Sequence, residues 1–221
     1  MDKNLKGIEL LQEGKIEEAL KMFTEQIEAA PNDPTAYINF GHVLSSVGEN
    51  ERAIKFYQKA IEVDPEAGAA YYALGTAYYN QNHLEEAVKQ FEQAIQKGLE
   101  ESDAFFMLGM TLIQLDQYTF ALPYLQRATE LNEQDTEARF QFGLALAKAE
   151  AYDEAISQLE RVIEEDPAHT DALYNLGVAY AGHLEDADRA LDMFNRALEI
   201  QPDHMLAGYG KKMMEKSREE Q

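Results

Sequence analysis

The stretch "YYALGTAYYNQNHLEEAVKQF", Tyr71 to Phe91, decides the fold. Almost every residue in it favours helix, yet Gly75 stands inside. A glycine in a helix costs ~1 kcal/mol relative to alanine. The same choice recurs at Gly7, Gly41, Gly75, Gly109, Gly143 and Gly177, each 34 residues from the last. A costly residue repeated at one fixed step marks a repeat unit.

Other positions keep the step. Ala19, Ala53, Ala87, Ala121 and Ala155 follow the glycines at a constant offset, and Ala190 comes one residue late. The sixth unit has therefore gained a residue within "AGHLEDADRA". Four positions further come Phe23, Tyr57, Phe91, Leu125, Leu159 and Phe194. Pro31, Pro65, Pro167 and Pro202 close four units, and Gly98 closes the third as a helix-stopping glycine can. Each unit reads as a helix, a short polar turn and a second helix. Glycine and alanine let the two helices approach. Large residues such as Tyr71, Leu74, Tyr78 and Phe91 fill the remaining space, and close packing repays the propensity lost. Pro123 falls near the start of the fourth unit's second helix, where it removes a backbone donor.

Leucine-glycine, then an aromatic or leucine, alanine, aromatic, alanine and proline at fixed offsets resemble the tetratricopeptide repeat (TPR) family. The segments "LPYLQRATELNEQDTEARFQFG" and "QPDHML" look further like small stand-alone members from Gram-positive bacteria. The resemblance implies an all-α, right-handed α-solenoid of six helix pairs and a capping helix, forming one domain over 1–221. The repeats are expected at about 1–33, 34–67, 68–101, 102–135, 136–169 and 170–204, with the capping helix at 205–221. In that last segment Leu206, Tyr209 and Met213 share one side, and Lys211, Lys212, Glu215 and Lys216 make the other polar.

Charge narrows the partners. Asp and Glu number 41 against 19 Lys and Arg, for a formal net charge of −22. Such a chain repels nucleic-acid phosphates and anionic membranes and attracts basic partners. Without cysteine it has neither disulfides nor thiolate metal sites. The start, "MDKNLKGIELLQEGK", lacks the apolar run of a signal peptide or anchor, so a cytoplasmic location is expected.

The first helices carry a second apolar face. Opposite the core residues of the third unit lie Tyr72, Thr76 and Tyr79. Positions equivalent to Tyr72 form a ladder of Ile38, Tyr72, Phe106, Phe140 and Tyr174, and those equivalent to Thr76 are His42, Met110, Leu144 and Val178. A helix apolar on both sides is buried on both or exposes a sticky surface. In the family this face lines a concave peptide groove, so the resemblance places an aromatic ladder along one. The alternative is that the ladder packs on itself across the inner curve. Met107 and Met110 add adaptable contact, and Asn39 and Asn175 offer paired donors and acceptors suited to a peptide bond. The lysine–arginine carboxylate clamp of many peptide-binding relatives is absent. Asp103, Glu137 and Asp171 open the last three first helices instead. They serve the helix dipole and give that end a negative rim, which favours a basic or amphipathic segment.

No constellation amounts to catalysis. The pairs Glu17–Glu18, Glu85–Glu86 and Asp153–Glu154 all open second helices, where carboxylates meet the dipole. His42, His83, His169, His183 and His204 share no ligand spacing. The expectation is a non-catalytic interaction module with no cofactor or metal, binding a protein or peptide partner and neither nucleic acid nor membrane. Two alternatives stay open. One is a self-associating structural protein, monomeric or weakly assembled through "GKKMMEKSR" of its last helix. The other is a receptor for a short signalling peptide.

Overall fold

A computed structural model describes residues 3–219; the outermost two residues of the expected first repeat and of the expected capping helix lie outside them. The described residues form thirteen helices. They are α1 (Lys3–Gln12), α2 (Ile16–Ala29), α3 (Pro34–Ser46), α4 (Asn50–Val63), α5 (Gly68–Asn80), α6 (Leu84–Gln96) and α7 (Ser102–Gln114). There follow α8 (Tyr118–Leu131), α9 (Thr136–Lys148), α10 (Tyr152–Glu165), α11 (Thr170–Gly182), α12 (Ala187–Ile200) and α13 (Met205–Glu219). The fold is thus all-α, with six pairs and a closing helix. Packing divides it into two compact units, residues 1–115 and 116–221.

Within the first unit, α1, α3 and α5 pack on α2, α4 and α6, and each of these second helices packs on the next first helix. Neighbouring first helices also touch, α1 on α3, α3 on α5 and α5 on α7, so they lie side by side. In the second unit α9 pairs with α10 and α11 with α12, while α13 packs on both α11 and α12.

The repeated glycines do what their spacing requires. A Cβ placed on Gly7 would lie 2.6 Å from the ring of Phe23, and one on Gly177 would lie 2.5 Å from that of Phe194. Phe23, Phe91 and Phe194 are buried, and so are the alanines four residues before each. The repeated aromatic is therefore a knob seated against a glycine of the paired helix. Phe194 is held from two sides, since a Cβ on Gly210 of α13 would lie 2.7 Å from the same ring.

The turn inside each pair has a requirement of its own. Gly14, Gly48, Asn82, Asp116 and Glu150, again 34 apart, all have positive φ, and Glu185 does so in the enlarged sixth unit. That unit absorbs its extra residue through a local network. Asp186 accepts from the Arg189 amide at 3.0 Å and from its guanidinium at 2.6 Å. Arg189 also lies over the Tyr180 ring at 4.6 Å, and Tyr180 donates to Glu160 at 2.6 Å. Gly98 ends α6 with φ +85°, as its sequence position implies. Pro123 falls inside α8, which continues past it to Leu131.

Candidate functional site

In the first unit the ladder is Ile38, Tyr72 and Phe106. Ile38 is buried, whereas Tyr72 and Phe106 are half-buried. The Tyr72 ring leans on Phe91 at 5.7 Å. Burial, aided by the Asp103 carboxylate, holds the Tyr72 hydroxyl above its usual pKa. Thr76 donates to the Tyr72 carbonyl at 3.0 Å. Asn39 donates to Asn4 Oδ1 at 2.7 Å, and Asn4 holds the ladder position of α1. The Tyr79 hydroxyl accepts from Gln114. Met107 and Met110 are half-buried on α7, and Asp103 is exposed in its first turn.

Between α3 and α5, over α4, these residues frame a pocket walled by His42, Ser45, Tyr57, Tyr72 and Thr76. His42 is exposed yet crowded, with its ring edge-on to Tyr57 at 5.6 Å. Loss of surrounding water lowers its pKa. The same cause pushes the Tyr57 hydroxyl to about 12, so it stays a protonated donor.

In the second unit Phe140 is only 7% exposed, with the His169 ring 4.5 Å away. Tyr174 is half-buried between Phe194 at 6.1 Å and His204 at 5.6 Å. Ile38 thus lies at the floor of the first unit's ladder, where Tyr72 and Phe106 reach the surface, and Phe140 lies at the floor of the second unit's, where Tyr174 does. Asn175 donates to the Asp171 carbonyl of its own helix at 2.7 Å, leaving its oxygen for other partners. Glu137 and Asp171 are exposed in the first turns of α9 and α11. Glu137 accepts from Gln141 at 2.8 Å. Asp171 lies 3.4 Å from His204 Nε2, while His204 Nδ1 accepts from the Ala207 amide at 3.1 Å. In the neutral ring the proton is therefore on Nε2, toward Asp171.

A second pocket lies between α9 and α11 over α10, with Leu144, Ala147, Leu159, Asn175 and Val178 among its walls. It occupies the register of the first, three repeats on. His42, Ser45, Tyr57 and Thr76 correspond to Leu144, Ala147, Leu159 and Val178. At these matched positions the first pocket carries hydroxyl and imidazole groups and the second carries aliphatic ones. Tyr152 and His183 close the far end of the second, their rings 5.0 Å apart, with His183 Nε2 3.0 Å from Asp153.

The closing helix packs inward through its smaller residues. Ala207 is its buried residue, and Gly210 and Met214 also pack inward. Leu206, Tyr209 and Met213, which share one side of the helix, are 58%, 66% and 46% exposed. The small residues on the intervening face fit against Phe194, where large ones would not. The extra residue of the sixth unit conceals what these side chains are. Counted across it, Tyr209 is the ladder position after Tyr174, and Met213 follows Val178. No group of acids and histidines among the described residues could hold a metal ion. No helix among them is long and apolar enough to cross a membrane.

Helix pairs with a glycine–knob contact and a second apolar face define a tetratricopeptide protein. The chain belongs to the tetratricopeptide repeat family, whose models match residues 6–166 and 140–204. It is therefore a protein–protein interaction module. Among solved structures it is similar to YrrB, described as a TPR protein with an unusual peptide-binding site. The two are 53% identical over 86% of this chain and 97% of that one, with a TM-score of 0.81. It is also similar to MamA, at 26% identity over 78% and 93% of the two chains with a TM-score of 0.72. PilF of Pseudomonas aeruginosa shares the fold at 22% identity, covering 96% of each chain with a TM-score of 0.76. No protein of curated function matches the chain.

Proposed function

We propose that the chain binds an extended or amphipathic segment of a partner protein on the face made by its first helices, and favours basic segments. The observation that carries this reading is the recurrence of one pocket, in one register, in both units. The half-buried Tyr72 walls the first, the second includes Asn175 next to the half-buried Tyr174, and a pocket near accessible aromatics suits side-chain anchoring. The surface residues in this reading are Tyr72, Thr76, Tyr79, His42, Phe106, Met107 and Met110 in the first unit, with Ile38 and Asn39 behind them. In the second they are Tyr174 and Asn175 over Phe140. The exposed Asp103, Glu137 and Asp171 supply charge for lysine and arginine, in keeping with the net charge of −22. The likeness to YrrB, itself described as peptide-binding, supports the same reading.

A short labelled peptide of alternating lysine and leucine tests it by fluorescence anisotropy, beside a glutamate–leucine counterpart. The lysine peptide binds more tightly, and its affinity falls with added salt because the acidic rim is exposed. Tyr174→Ala weakens it by more than its shift in the thermal melt accounts for, measured at a temperature where both chains are folded. Equal affinity for both peptides, or preference for the acidic one, would sink the charge assignment.

A further inference from the structure

We propose that α13 is a wall of this binding surface, and that Leu206, Tyr209 and Met213 receive one large apolar side chain at the end of the bound basic segment. The inference rests on the reading given above. Counted across the extra residue, three rows of the second unit continue onto α13. Phe140 and Tyr174 lead to Tyr209; Leu144 and Val178 lead to Met213. The acidic row of Glu137 and Asp171 ends in Leu206. The three α13 residues stand at i, i+3 and i+7, so they share one helix face. All three are exposed, a costly arrangement for large apolar groups in water.

A helix that only ends the fold has no use for this face. The solvating task belongs to another side of α13. Lys212 stands where Gly177 of α11 meets Phe194, and a lysine there bars the close approach that the glycine allows. Lys211 pairs with Glu215 at 3.9 Å and Arg218 with Asp188 at 2.9 Å, so these cations are engaged within their own chain. The groove-side face is left apolar while the neighbouring first helices present Glu137 and Asp171. Charge complementarity therefore sets the occupant: lysine or arginine beside α9 and α11, and an apolar residue where Leu206 replaces the acid.

The test uses the full chain and the lysine–leucine peptide in versions ending in phenylalanine or in serine, at either terminus because chain direction is open. One phenylalanine-ended version binds about tenfold more tightly than its serine counterpart, the size expected for partly burying one large apolar side chain. In the doubly substituted Tyr209→Ser/Met213→Ser chain that preference disappears and the melt stays in place. Retention of the preference by the substituted chain overturns the proposal. So does sedimentation showing that the unsubstituted chain self-associates through this face. If neither peptide binds, the groove reading falls and takes this one with it. If both bind equally, this inference alone is wrong.

Discussion

Arg139 Nη2 donates to the Glu133 carbonyl at 2.8 Å. Tyr37 does the same to Pro31 at 3.1 Å and Tyr71 to Pro65 at 3.2 Å, at the same repeat position. A long side chain with a terminal donor thus ties each of these first helices to the turn that precedes it. Arg139 is 3% exposed, and Glu165 lies 3.5 Å from its Nε, so its charge is buried with a carboxylate near it. Removing the donor deletes a hydrogen bond made by a charged group. Arg139→Met is expected to cost ~1–3 kcal/mol. Arg139→Tyr, which restores the arrangement of the earlier repeats, costs less than Arg139→Met. Urea denaturation of the three chains checks the order, and a tyrosine variant as unstable as the methionine one would refute the tether.

The knob contacts predict unequal costs for one substitution. A Cβ on Gly177 would meet the rigid Phe194 ring at 2.5 Å, but on Gly143 it would meet Cγ of the more flexible Leu159 side chain at 3.1 Å. Gly177→Ala overpacks a stiff site, at ~1–3 kcal/mol before the ~1 kcal/mol gained in helix propensity. Gly143→Ala lets Leu159 shift, so the propensity gain cancels most of its cost. Chemical denaturation is expected to place Gly143→Ala well above Gly177→Ala in stability. Equal losses would mean that the knob is not what sets the glycine.

A reader of the sequence can find the glycines, the knobs and the count of helix pairs, because each repeats at one step and leaves a compositional trace. The helix-opening acids are legible for the same reason, since charge at a helix start has one local cause. Depth is not. Ile38 and Tyr72 share a register, yet one is buried and the other half-buried, because neighbouring helices decide what covers each. The roles of His169 and His204 are equally hidden. Each caps a helix through Nδ1, at 3.2 Å to Ala172 and 3.1 Å to Ala207, a task usually given to Asp, Asn, Ser or Thr. The rows on α13 are obscured by a single added residue.

The histidine cap yields a direct comparison. His169→Ala removes the acceptor for the Ala172 amide and is expected to cost ~0.5–2 kcal/mol. His169→Asp replaces the acceptor and adds charge that favours the helix N-terminus, as Asp135 does for α9 at 2.9 Å. The aspartate chain is therefore more stable than the alanine chain by thermal melting at neutral pH. The reverse order would show that the His169 ring acts through Phe140 and not through the cap.

Backbone strain in the turns points to a stabilising change. Glu150 has φ 64°, at the position that Gly14 and Gly48 occupy in earlier repeats. The left-handed region costs a side-chain-bearing residue ~1–2 kcal/mol. Part of that is recovered by glycine, which loses more entropy on folding. Glu150→Gly is expected to stabilise the second unit by ~1 kcal/mol or somewhat less. A lower denaturation midpoint would mean that Glu150 makes a compensating contact.

Acid should act on the first unit through His42. Crowding lowers its pKa in the folded state below the ordinary 6.5, so the neutral ring is the form that the fold accommodates. As pH falls through the ordinary value, the unfolded chain binds a proton that the folded chain resists. The stabilising contribution is complete above 6.5 and is lost as pH falls toward the lower folded value. His42→Gln keeps a polar side chain and removes the titration. The stability difference between the unsubstituted chain and His42→Gln should therefore shift against the unsubstituted chain on acidification from neutral pH to about 5, a range in which ordinary carboxylates remain largely ionised. All other side chains are common to both chains and cancel in the comparison. Urea midpoints at matched ionic strength measure the shift. A difference that stays constant with pH would show that His42 is fully solvated, and a shift in favour of the unsubstituted chain would place a carboxylate beside it.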